Sequence, residues 1–169
     1  MQPNPSNDLR KAYRISAFIG LTMITSLIAY AVVVELIKKQ NAPFSGFAPL
    51  PDVIDTLRYA LLSVVVVEFF MIRFLNKIML SGKGQPQSSA ATSPFAPNVS
   101  RLVAASIVTY ALCESVAIYG LVLFFIQGNS NDFYLFVGLS ILSFVVYFPR
   151  YDNWEEWVAE QEQARRPQP

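Results

Sequence analysis

Two carboxylates stand where carboxylates are costly. Glu114 interrupts ALCESVAIYGLVLFFI, residues 111–126, and Glu68 interrupts LLSVVVVEFFMI, residues 61–72; neither stretch holds another charge. Measured from Arg101, Glu114 lies roughly 20 Å along a helix rising about 1.5 Å per residue, which is near the middle of a bilayer. An ionised carboxylate there costs at least ~2.5 kcal/mol, so such a group takes up a proton, pairs with a cation or binds an ion. One reading makes Glu114 an acid that binds and releases an ion. The other makes it a hydrogen-bonding anchor between helices, with Ser115, Thr109 or Tyr110 as partners.

Glu68 is open to two readings as well. Counted from the connection that follows it, Glu68 sits at about the depth of Glu114, and two acids facing each other in low dielectric cannot both ionise cheaply. Arg73, little more than a turn away, offers a pairing instead. Glu35 stands just before Lys38 and Lys39 at the end of an apolar run, and reads as an interfacial charge whose side chain reaches water.

The elements that must position these acids are greasy. The chain is 53% hydrophobic and 15% charged, against about 25% charged in a soluble domain. Apolar runs predict four transmembrane helices at about 15–37, 57–79, 100–126 and 133–149. The fold class is therefore all-α, an integral membrane bundle of two hairpins over residues 1–149. Residues 150–169, with Trp154 and Trp157, form a cytoplasmic interfacial helix and tail. The first run is too long for the apolar core of a signal peptide and is expected to be retained.

Residues 38–55 and 81–98, rich in Pro, Gly and Ser, read as connections, the second with linker composition; residues 127–132 read as a tight turn. Most of the 13 Lys and Arg fall before the first helix, around the second connection and in the tail. Positive charge stays inside, which predicts cytoplasmic termini in an inner (cytoplasmic) membrane. The near balance of 13 basic and 12 acidic residues gives no basis for nucleic-acid binding. The bilayer is the expected partner, together with further copies of the chain or subunits of a membrane complex.

Two segments echo each other. SLIAYAVVVELI from Ser26 and SVAIYGLVLFFI from Ser115 share Ser, Tyr, Val and Ile in register. FMIRFLN from Phe70 and YFPRYDN from Tyr147 share an aromatic-x-x-Arg-aromatic-x-Asn pattern. Helices one and two would then repeat as helices three and four, as in many membrane transport proteins.

Other chemistry finds little material. The chain has no His and one Cys, Cys113, so metal sites, thiol–imidazole pairs and internal disulfides lack their residues. GKGQ at Gly82–Gln85 lacks the rest of a phosphate loop, and NVS at Asn98–Ser100 falls on the cytoplasmic side, where it is idle as a glycosylation acceptor. No enzyme and no cofactor is predicted, beyond H⁺ or Na⁺ as a ligand.

Glu-Ser-Val-Ala-Ile-Tyr-Gly-Leu-Val, Glu114–Val122, resembles the ion-binding helix of the proteolipid c subunits of rotary ATP synthases and V-type ATPases. The resemblance implies binding or translocation of H⁺ or Na⁺, with Glu114 as the ion-binding acid. It also implies Ser115 as a hydroxyl ligand, Tyr119 as a residue that steadies the acid, and Glu68 as a companion from the preceding helix. The chain departs from the family in two respects: its second helix lacks the recurring Gly of a tightly packed ring, and the acid lies on the third helix. The reading beside it is a non-transporting scaffold or accessory subunit with Glu114 as a structural anchor.

Overall fold

The computed structural model describes residues 5–48, 51–80 and 97–165, so the connection of linker composition lies outside the described residues. Five helices follow one another: α1 Pro5–Gln40, α2 Pro51–Leu80, α3 Pro97–Gln127, α4 Ser130–Tyr147 and α5 Tyr151–Arg165. Among the described residues the regular structure is helical throughout. Three of the helices are long and apolar enough to cross a membrane: α1 over Asn7–Gln40, α3 over Val99–Gln127 and α4 over Ser130–Tyr147. That is the mark of an integral membrane protein. α2 carries Arg58, Glu68 and Arg73 along its length and is not among the three.

The helices follow from local chemistry. α1 has Asp8 in its first turn and Lys38 and Lys39 in its last, each opposite in sign to the helix dipole it meets. Thr22 and Thr25 are exposed on a surface with Phe18, Leu21 and Ile28, and donate to the carbonyls of Phe18 and Leu21, both at 2.9 Å. A hydroxyl in hydrocarbon needs such an internal acceptor. α4 stops at Tyr147 because Pro149 follows: Phe148 takes an extended conformation with φ −61° and ψ 123°, as residues before proline do.

α3 is the central helix, and α1, α2 and α4 pack around it. α1 and α2 meet α3 rather than each other, so the expected first hairpin is not a packed unit. The described part of the connection between them, residues 41–48, reaches α3 instead: the Phe47 amide donates to the Phe125 carbonyl at 2.8 Å. The main core joins Leu27 and Val34 of α1, Ile72 of α2, Tyr110, Ala117 and Phe124 of α3, and Phe133 and Phe144 of α4. α4 approaches α3 most closely at Gly120, where a Cβ would lie 2.6 Å from Phe136 Cβ. Ser140 adds a hydroxyl donated to the Cys113 carbonyl at 2.6 Å. At the other end Leu9, Ala12, Val99, Leu102 and Trp154 form a smaller cluster that seats α5.

The repeat is only half structural. FMIRFLN lies within continuous α2, whereas YFPRYDN straddles the break between α4 and α5, because proline cannot continue the helix. The Ser26 and Ser115 segments, by contrast, are both helical and both carry their Ser and Tyr toward an acid, as described below.

The α3–α4 turn is held from two sides. Asn129 caps α4 by accepting from the Asn131 amide at 3.0 Å. Gly128 has φ +75°, and a Cβ there would come within 2.5 Å of the Phe44 carbonyl oxygen. Gly128→Ala combines a left-handed conformation, costing about 1–2 kcal/mol, with that overlap. Its thermal unfolding in detergent should show a destabilisation of at least that size, and an unchanged midpoint would contradict the packing described.

Candidate functional site

Glu114 and Glu68 are each gripped by one Ser and one Tyr, four residues apart on a neighbouring helix. Ser26 and Tyr30 of α1 both donate to Oε1 of Glu114 on α3, Tyr30 at 2.7 Å. Ser115 and Tyr119 of α3 both donate to Oε1 of Glu68 on α2, at 3.0 and 2.6 Å. Residues four apart lie on one face of a helix, so a Ser-x-x-x-Tyr pair presents two hydroxyls to one point. Adjacent residues project about 100° apart, which is why Glu114 turns toward α1 while Ser115 turns toward α2. The arrangement is one device used twice, with α3 giving the acid to one unit and the hydroxyls to the other.

This corrects the assignment carried by resemblance. Ser115 and Tyr119 stand beside Glu114 in sequence, yet they serve Glu68; the hydroxyls on Glu114 are Ser26 and Tyr30. Glu114 and Glu68 occupy neighbouring levels of α3 but are held on different sides of it. Arg73 is exposed and does not pair with Glu68. The Thr109 hydroxyl shares its one hydrogen between Asn76 Oδ1 at 3.2 Å and the Ala105 carbonyl at 2.9 Å, so it is not a partner of Glu114.

In both units the serine hydroxyl is divided between the acid and its own helix. The Ser26 hydroxyl lies within hydrogen-bonding distance of Glu114 Oε1 and of the Met23 carbonyl at 2.6 Å. The Ser115 hydroxyl likewise lies between Glu68 Oε1 and the Leu112 carbonyl at 2.7 Å. A serine hydroxyl has a single hydrogen to donate. That hydrogen is shared between the acid and the serine's own helix.

Neither acid has a cation. Among the described residues the ion pairs are Lys38 with Glu35 at 2.9 Å and Arg58 with Asp132 at 3.1 Å. Glu68 is 5% exposed and its Oε2 is buried without a partner. Glu35, open to water and shared with the Tyr134 hydroxyl at 2.6 Å, fits the interfacial charge expected of it. The described residues bring together no group of His, Cys, Asp and Glu able to hold a metal ion.

Asp132 was not anticipated. It is buried at the start of α4, accepts from the side-chain amides of Gln127 and Asn129, and faces Arg58 of α2. The Arg58 contact is an ion pair whose Nε geometry falls short of a hydrogen bond. Together these contacts tie the α3–α4 turn to α2.

Comparison with known proteins finds no matching family model, no similar curated protein and no similar solved structure.

Proposed function

We propose that the chain is a four-helix membrane protein that binds and passes H⁺ or Na⁺ through Glu114, with Glu68 as a second station. The observation that carries this reading is that two acids within the apolar bundle are held by hydroxyls alone. Charge balance in hydrocarbon then falls to a proton or a small cation.

In this reading α2 completes the bundle as a fourth span, its buried acid facing α3 and its exposed Phe70 and Phe74 facing lipid. The termini are cytoplasmic, residues 1–149 form the membrane domain, and residues 150–169 lie at the inner surface. The likeness to c-type proteolipids supports Glu114 as the acid. The supporting hydroxyls differ, since Glu114 draws them from α1. The second reading, a scaffold without transport, is favoured by the way each hydroxyl–carboxyl contact joins two helices.

Proteoliposomes separate the two. Transport predicts that Glu114→Gln abolishes H⁺ or Na⁺ flux while thermal stability stays within about 1 kcal/mol of the parent, because the amide still accepts a hydrogen bond. Scaffolding predicts no flux in the parent, a silent Glu114→Gln and an unstable Glu114→Leu.

A further inference from the structure

A cavity of about 300 Å³ opens where the end of α2, the first half of α3 and the α4–α5 corner meet. Its polar lining comes from Asn76, Ser106, Thr109, Arg150, Asn153 and Trp157, and no carboxylate lines it. Thr109 spends its hydrogen on neighbouring oxygens, and Asn76 uses its carbonyl there, so the Asn76 amide hydrogens are free. Ser106 is 6% exposed and has no hydrogen-bond partner among the described residues. Its oxygen is not sealed off, so it is open to the cavity and available to a ligand there.

The remaining groups are also donors. Arg150 is exposed at the rim, and α5 begins at the next residue, so its first amides lack partners within the helix. A cavity of donors with a guanidinium and a helix N-terminus, and without an acid, suits an anion. The surroundings decide which anion. Val146 lines the cavity and is 54% exposed. An apolar surface therefore runs to the mouth, at the level where Trp157 marks an interface.

We propose that this cavity binds the phosphate of an anionic phospholipid, with an acyl chain against Val146. The site stands apart from Glu114 and Glu68 and does not depend on the ion reading.

Native mass spectrometry of delipidated protein in neutral detergent tests it, with phosphatidylglycerol, phosphatidylcholine and inorganic phosphate as probes. The expected result is retention of phosphatidylglycerol about tenfold better than phosphatidylcholine, a preference that Arg150→Gln removes. Arg150 is exposed, so that variant should fold; Ser106→Leu, which fills the cavity, should lower retention of phosphatidylglycerol as well. Equal retention of the two lipids, or a preference that survives Arg150→Gln, would overturn the proposal. So would inorganic phosphate displacing phosphatidylglycerol at equal concentration, because the cavity would then be a site for free anions.

Discussion

Asp132→Ala is expected to destabilise the fold by about 3 kcal/mol. Asp132 is nearly fully buried, and its removal leaves Arg58 without its counter-charge and two side-chain amides without their acceptor. Breaking a buried pair costs about 3–5 kcal/mol, and the lower end applies because the Arg58 side chain is 39% exposed and can turn toward water. Asp132→Asn keeps an acceptor and should lose less. Thermal unfolding of the two variants in the same detergent checks the order, and an Asn variant as unstable as the Ala variant would show that charge rather than hydrogen bonding holds the turn.

Exchanging the hydroxyl pairs should have the largest effect on the acids themselves, and each pair should act on one acid only. Ser115→Ala with Tyr119→Phe is expected to alter the ion affinity of Glu68 by about tenfold or more and to leave Glu114 unchanged. Ser26→Ala with Tyr30→Phe should do the reverse. The magnitude follows from losing two hydrogen bonds to one acid in surroundings where water cannot replace them. Both substitutions conserve shape, so the fold should survive. Site-resolved titration by carboxyl labelling provides the readout. A response of Glu114 to the Ser115 and Tyr119 variant would return those hydroxyls to the acid beside them in sequence.

The helices were legible because their signal is local. Long apolar runs, the Pro149 break, the tight turn at Gly128 and the two Trp in the tail each state their structure within a few residues. Glu114 and Glu68 were legible for a related reason, since a charge in an apolar run is conspicuous wherever the run folds. Which hydroxyls serve which acid was not, because that depends on how helices face one another, and sequence adjacency gives the wrong answer for Ser115 and Tyr119. A signal for Ser26 and Tyr30 did exist. They align with Ser115 and Tyr119 in the repeat, and a matched pair of hydroxyls at helical spacing presents two donors to one point. Asp132 had no such signal. It reads as one more polar residue in a turn until the fold brings Arg58 to it from α2.

Carbodiimide modification in the native membrane, mapped by mass spectrometry across pH with and without Na⁺, tests the central claim most directly. The reagent attacks protonated carboxyls in apolar surroundings, so it reads whether the hydroxyl-held acids carry an exchangeable ion. The account predicts labelling at Glu114 and Glu68 that alkaline pH suppresses, with Na⁺ protecting as well if that ion is accepted. No labelling of either acid at any pH, with exposed acids such as Glu155 reacting normally toward a water-soluble carbodiimide, would contradict it and leave two sealed structural anchors.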